Sequence, residues 1–242
     1  GLSGEGRMAE PENILSFLER DLLEKLPLKG KKILITAGST YEAIDPVRFI
    51  GNHSSGKMGF DIANEAANKG AEVILVTGPT HLNVQNSAIK LIRVISAQEM
   101  YDACHEFYNS VDVAIAAAAV ADYRPKNVAE QKIKKNEATF SIELEKTKDI
   151  LASLGEQKKK QFLIGFALET ENEIEHAKQK IQKKNLDLIV LNSLNDKGAG
   201  FGLPTNKVTF ISKDFIVEPK ELKSKEEVAQ DIINKVIQFY DA

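Results

Sequence analysis

Six short runs of the sequence are apolar at nearly every position: 32–36, Glu72–Thr77, 91–95, 111–118, 162–167 and 186–191. A strand that is apolar on successive residues has to be covered on both faces. Sheets covered on both faces are mostly parallel, with helices as crossovers. Helical spacing of apolar residues falls between these runs, at 60–68, Ala97–Tyr108 and 173–184. The alternation predicts an α/β fold: a doubly wound, Rossmann-like, mostly parallel sheet with helices on both faces. A last helix should open at a capping box, Ser224 with Glu227, and bury Val228, Ile232 and Val236.

Two stretches break the repeated unit. Residues 1–30 begin with Gly1, Gly4 and Gly6, after which Ile14, Phe17, Leu18, Leu22 and Leu23 recur at helical spacing up to Pro27 and Gly30. They are expected to form a tail and one helix before a main domain of 31–242. Insertions at about 123–148 and 206–218 carry period-two character: Thr139, Ser141 and Glu143 alternate with Phe140, Ile142 and Leu144. Extra antiparallel strands are expected there, as a lid, an edge or a dimer contact.

Composition removes several functions. Of 242 residues, 32 Lys and Arg face 35 Asp and Glu, for a formal net charge of −3. The whole molecule has no field to gather nucleic acid or an anionic membrane, so any anion site must be local. One cysteine, Cys104, cannot close an internal disulfide, and with four histidines it gives no zinc-ligand spacing. On its amphipathic helix it reads as a core residue. No apolar run approaches the roughly 18 residues of a spanning helix, and the N-terminus lacks a signal peptide's apolar centre. A cytoplasmic, reducing home is expected.

In such sheets ligands bind beyond the carboxyl ends of the strands, so the loops after Thr36, Thr77, Ala118, Ala167 and Leu191 hold the first candidates. The loop after the first strand ends in Gly51-Asn-His-Ser-Ser-Gly-Lys-Met-Gly59 and feeds a helix. Small residues, backbone N–H groups and a lysine at a helix N-terminus suit an anion. Residues 51–57 satisfy the first seven positions of a P-loop, but Met58 replaces the hydroxyl residue that holds magnesium, and the run lies about fifteen residues beyond its strand. No GxGxxG is completed either. A glycine-rich turn capped by Ser54 or Ser55 explains the serines, but not Asn52, His53 and Lys57 together.

Other candidates admit two readings. Ala116, Ala117, Ala118 and Ala119 precede Asp122 at a strand's carboxyl end. Such small side chains let a flat ring lie on the backbone, with Asp122 free to accept from a ribose hydroxyl; close helix packing, the plainer reading of the residues alone, also explains them. Lys132 and Lys134 share a face if extended, as on a solvated edge strand. Lys180 and Lys184 stack four apart on one helix, a like-charge pair that costs roughly a few tenths of a kcal/mol unless an anion lies between them.

Taken together, Ile33-Leu-Ile-Thr-Ala-Gly38, Ile44-Asp-Pro-Val-Arg48, Asn52-His-Ser-Ser-Gly-Lys-Met-Gly59, Ala117-Ala-Ala-Val-Ala-Asp-Tyr-Arg-Pro125, Lys132-Ile-Lys-Lys135 and Gly165-Phe-Ala-Leu-Glu-Thr170 resemble the bacterial phosphopantothenoylcysteine synthetases. The motifs stand in that family's order, and the resemblance runs from Lys31 to Tyr240. It implies ligation of 4′-phosphopantothenate to L-cysteine in coenzyme A synthesis. CTP would activate the carboxylate as an acyl cytidylate, releasing pyrophosphate and then CMP. The same resemblance implies a magnesium ion, for which no protein ligand is identifiable, and a homodimer. In many bacteria the domain is fused behind a flavin-dependent decarboxylase. Gly4-Glu-Gly-Arg-Met-Ala-Glu-Pro11 looks like the closing segment of that partner, and no flavin is expected in this chain.

Residue roles carry over on the same basis. Lys132 would stabilise the charge that builds as the cytidylate forms, a step governed by positioning and cations. Asn52 would hold the acyl cytidylate while the cysteine amine attacks, a task suited to an uncharged two-way hydrogen bonder. Ala116, Ala117, Ala118, Asp122, Lys132, Lys148, Asp149, Ile150, Leu151, Phe166, Lys180 and Lys184 match nucleotide-binding positions. Gly38, Asn52, Ser54, Ser55 and Gly56 match positions for substrate or phosphate. Lys148 stands where relatives often have Pro, and Ser39 and Gly51 depart from the commoner Pro and Ser. Eukaryotic, ATP-using relatives carry Asn-Phe-Ser-Ser-Gly-Arg-Arg-Gly in this loop, so the version with His53 and Lys57 argues for CTP.

Overall fold

The computed structural model describes residues 8–134, 139–169, 171–193 and 203–241. Gly1, Gly4, Gly6, Lys135 and Thr170, used in the sequence argument, lie outside them. In chain order the first elements are α1 (Pro11–Glu24), β1 (Lys32–Ala37), β2 (Tyr41–Ala43), β3 (Phe49–Gly51), α2 (Lys57–Asn68), β4 (Glu72–Thr77) and β5 (Ile89–Arg93). Next come α3 (Ala97–Tyr108), β6 (Val113–Ala116), β7 (Tyr123–Pro125), β8 (Leu144–Lys146), α4 (Ile150–Gln157), β9 (Phe162–Glu169) and α5 (Glu173–Lys183). The described chain ends with β10 (Leu188–Ser193), β11 (Thr205–Asn206), β12 (Val208–Ser212), β13 (Val217–Pro219), β14 (Lys223–Ser224) and α6 (Lys225–Asp241).

The apolar runs form one eight-stranded sheet in the order β13-β12-β10-β9-β6-β1-β4-β5. From β5 to β10 every pairing is parallel; β12 and β13 add an antiparallel edge. The order β5-β4-β1-β6-β9-β10 reverses direction between β1 and β6, which is where a doubly wound sheet opens its ligand crevice. Alternate residues of each central strand feed opposite layers. Ile33 and Ile35 pack with Ile62 of α2 and Ile232 of α6, while Leu34 packs with Met100 and Cys104 of α3 and Leu154 of α4. Cys104 is fully buried, and burial pushes its thiol up to about 12.

The second insertion forms the edge hairpin of β12 and β13, as period-two spacing suggested. The first also holds an antiparallel pair, β7 with β8, but only at the ends of the insertion. In the stretch that alternates from Thr139 only Leu144 enters a strand, in the three-residue ladder between β7 and β8; residues 139–143 form none. Phe140 is exposed, so the alternation had no sheet face to serve. Helix α6 keeps its capping box, with Ser224 Oγ accepting from Glu227 N–H at 3.2 Å and Glu227 Oε2 accepting from Ser224 N–H at 2.9 Å. No helix among the described residues is long and apolar enough to cross a membrane.

Candidate active site

The crevice is built by two segments that meet over the tip of β1. The run expected to continue β6 through Ala118 leaves the sheet after Ala116. Its amides are taken by β1 and the turn that follows: Ala118 N–H donates to Thr36 Oγ1, Ala119 N–H to the Gly38 carbonyl and Ala121 N–H to Thr40 Oγ1. The alanines therefore drape across the switch point, half-buried and with small side chains. From the other side, Asn52 Nδ2 donates to the Val120 carbonyl at 2.9 Å.

The loop returns to α2 through two glycines. Gly56 has φ +83°, and a Cβ there would lie 3.3 Å from the Gly38 amide nitrogen. Gly38 itself has φ +73°. Backbone thus touches backbone where the loop opens and where it closes, in a conformation that L side chains rarely adopt. Ser54 Oγ accepts from Gly56 N–H at 3.2 Å, which shapes the turn. The helix starts at Lys57, three residues before the apolar pattern begins.

Two adjoining cavities result. The larger, of 930 Å³, collects Asn52, Ala116, Ala118, Asp122, the run from Lys148 to Leu151, Phe166 and Lys184. The smaller, of 190 Å³, takes Ser54, Ser55, Gly56 and Ala117. Both share Ala118, Ala119, Phe166 and Leu168 as walls. Lys184 Nζ sits 2.7 Å from Asp149 Oδ2, and Asp149 also caps α4 by accepting from Ala152 N–H. Burial raises the Asp149 pKa, but the hydrogen bonds from Lys184 and Ala152 outweigh it and hold the carboxyl below its ordinary value. Lys148 Nζ lies 4.5 Å from the centre of the Tyr101 ring.

Two expected nucleotide contacts line neither cavity in the single chain. Lys180 turns to Glu169, with Nζ 3.4 Å from Oε1. Lys132 is exposed, on a segment pinned elsewhere: the Ile133 N–H donates to Asp45 Oδ2 at 3.1 Å and the Ile133 carbonyl accepts from Arg48 Nη2 at 3.0 Å. Asp45 is buried and also accepts from the Val47 and Arg48 amides. The Arg48 guanidinium against it, with these N–H donors, holds its carboxyl well below the usual range. Lys57, the expected anion-holding cation, is already paired: its Nζ is 3.0 Å from Asp61 and 2.9 Å from Glu226.

Sequence reasoning missed Asn192, Asn206 and Lys225, which line the smaller cavity. A signal for Lys225 did exist. A lysine opening a helix opposes the helix dipole, and the capping box marked that opening. Among the described residues no group of three or more His, Cys, Asp or Glu could hold a metal ion. A magnesium ion carried by nucleotide phosphates would need no such cluster.

A parallel sheet with this strand order and a crevice at its switch point defines a Rossmann-like α/β protein with a ligand site at the carboxyl ends of β1, β6 and β9. The comparisons narrow that class. The model of the DNA/pantothenate metabolism flavoprotein C-terminal domain matches residues 28–240, and the chain belongs to that family. It is 51% identical over 242 residues to a protein named cysteine/cysteine sulfinic acid decarboxylase, from a prokaryote of unknown identity, covering 98% of this chain and 67% of that one. It is 45% identical over 238 residues to the coenzyme A biosynthesis bifunctional protein CoaBC of Bacillus subtilis, covering 98% of this chain and 59% of the relative. The crystal structure of a CoaBC C-terminal domain superposes with a TM-score of 0.77 at 47% identity, over 90% of this chain and 99% of that domain.

Proposed function

We propose that the chain is a CTP-dependent phosphopantothenate–cysteine ligase of coenzyme A biosynthesis. The observation that carries the reading is the meeting of Asn52 with Ala116, Ala118, Asp122 and Lys184 in one cavity at the switch point. The motifs recognised in the sequence that carry Asn52, Asp122 and Phe166 contribute to its walls, and CoaBC relatives at 45% identity support the pathway.

A carboxylate resists attack by an amine because its oxygen is a poor leaving group. In the first step the 4′-phosphopantothenate carboxylate would attack the α-phosphorus of CTP, forming a P–O bond as pyrophosphate departs with the electron pair. In the second, the cysteine amine would attack the acyl carbon, and CMP would leave with the C–O electrons. The cytosine would lie against the Ala116–Ala118 backbone, with Asp122 accepting from the ribose and Lys184 supplying charge near the phosphates. Asn52, tied to Val120 through its Nδ2, would offer its Oδ1 to the intermediate and hold it without the grip of a cation.

Lys132 must reach phosphate from outside the cavity, and a homodimer would bring it. The β2–β3 hairpin that pins its segment carries Val47 and Phe49 exposed, beside Ile95, with Tyr41 stacked on Phe49 at 3.9 Å. A second copy seated on this apolar patch would bury it and present Lys132 to the partner's crevice. In a longer bifunctional parent, α1 with Leu15, Phe17, Leu18 and Leu22 exposed would contact the fused flavin-dependent decarboxylase.

Incubation with CTP, magnesium and 4′-phosphopantothenate, without cysteine, tests the reading. Pyrophosphate should appear, and adding cysteine should then release CMP and form the amide. A nucleotide-binding module without chemistry would yield neither product, and a P-loop NTPase would hydrolyse ATP with no need of phosphopantothenate.

A further inference from the structure

The wall of the larger cavity that runs from Lys148 to Leu151 is tied down on both sides of Lys148 but not at it. Before it, Thr147 donates twice to backbone, its N–H to the Asp122 carbonyl at 3.0 Å and its Oγ1 to the Ala121 carbonyl at 2.6 Å. After it, Asp149 accepts from Ala152 N–H and holds Lys184. Lys148 itself makes no hydrogen bond or ion pair with the described residues, through backbone or side chain. An exposed residue with a free amide between two anchors keeps the torsional freedom that lets a wall shift.

What holds Lys148 comes from α3. Its Nζ, 4.5 Å from the centre of the Tyr101 ring, is within reach of a cation–π attraction. The ring is supported in turn by His105, one helical turn on, with ring centres 4.1 Å apart and planes tilted by 49°. His105 is fixed to α4: its Nε2 lies 2.8 Å from Ser153 Oγ and its Nδ1 3.3 Å from Gln157 Oε1. The contacts from Lys148 through Tyr101 and His105 to Ser153 thus leave the approach to α4 and return to its body, which closes a brace around the start of that helix. Tyr101 lines neither cavity.

We infer that Tyr101 is a positioning residue of the ligation site. It touches no reacting group; it holds Lys148 and, through the next residue, the Asp149 cap with its Lys184 ammonium. A leucine at 101 fills space but offers no π face, whereas phenylalanine keeps that face. The kinetic consequence rests on the ligase reading above; the brace does not.

A double-mutant cycle on the intact chain tests the brace. Tyr101→Leu and Lys148→Met should each raise the KM for CTP by about threefold, the size of one exposed cation–π contact, and leave the KM for cysteine unchanged. The double variant should be no worse than either single one, whereas independent effects would multiply to about ninefold. Tyr101→Phe should behave as wild type. Amide exchange at Ala152, whose N–H reports the Asp149 cap, should quicken by about the same factor in Tyr101→Leu and in Lys148→Met. Multiplying effects would overturn the assignment, and so would unchanged exchange at Ala152. A KM for CTP that falls in Tyr101→Leu would also overturn it, because the ring would then be withholding Lys148 from the nucleotide. Exchange that responds as stated in a chain that makes no amide from CTP would uphold the brace and sink the ligase reading alone.

Discussion

Asn52 Nδ2 lies 2.9 Å from the carbonyl oxygen of Val120, a contact across 68 residues that ties the loop after β1 to the backbone released from β6. The bond fixes the Asn52 amide on the wall of the larger cavity. Asn52→Asp would set a carboxylate against that carbonyl and against the charged intermediate. Pyrophosphate release should persist, while acyl cytidylate accumulates and amide formation falls by about two orders of magnitude, readable by quenched-flow and mass spectrometry. Equal loss of both steps would reject the role given to Asn52.

Lys132→Gln should abolish pyrophosphate release itself, and the two variants together report where Lys132 acts. If Lys132 serves the partner's crevice, mixing inactive Asn52→Asp and Lys132→Gln chains makes hybrid dimers with one intact site. Activity should return to about a quarter of wild type after random subunit exchange. No recovery despite demonstrated exchange would place Lys132 and Asn52 in the same chain's site.

Asp45 should keep the lysine segment ordered over a wide pH range. Its folded-state carboxyl titrates below the ordinary value of 3.8, so its contribution is complete above that value and is lost as pH falls through the depressed folded pKa. Amide exchange at Ile133 should stay protected through mildly acidic pH. In Asp45→Ala that protection should drop at neutral pH by about tenfold, with Ile35 in the central sheet little changed.

Gly59 packs α2 onto β1: a Cβ there would lie 2.5 Å from Ala37 Cβ and 3.0 Å from the Thr36 carbonyl. Neither neighbour is a flexible tip. Gly59→Ala should cost about 1–3 kcal/mol in denaturant unfolding through overpacking, despite alanine's better helix propensity. A stabilised variant would mean that helix and strand part more easily than this contact implies.

Much of this architecture was legible because it rests on local repetition. Runs such as 32–36 and Glu72–Thr77 are apolar on both faces, and only a covered parallel sheet satisfies them. The run 91–95 proved to be a strand two residues earlier, Ile89–Arg93, a shift that leaves the topology unchanged. What was not legible depends on partners far along the chain. Lys57 looked free until Glu226, 169 residues away, was folded beside it. The alanines read as strand, but Thr36, Gly38 and Thr40 draw their amides off the sheet. Lys132 matched its motif, yet Asp45 and Arg48 decide where its backbone sits. Lys225 was marked only by its place after the capping box; its burial cannot be read in a run of charged residues.

The sealed position of Cys104 has a practical side for an enzyme that would handle free cysteine beside a mixed anhydride. Its sulfhydryl stays protonated at working pH and out of reach of solvent, so it cannot intercept an activated acyl group or trade disulfides with the amino acid. Colorimetric thiol reagents applied to the native chain should therefore count substrate and product alone, with no background from the protein.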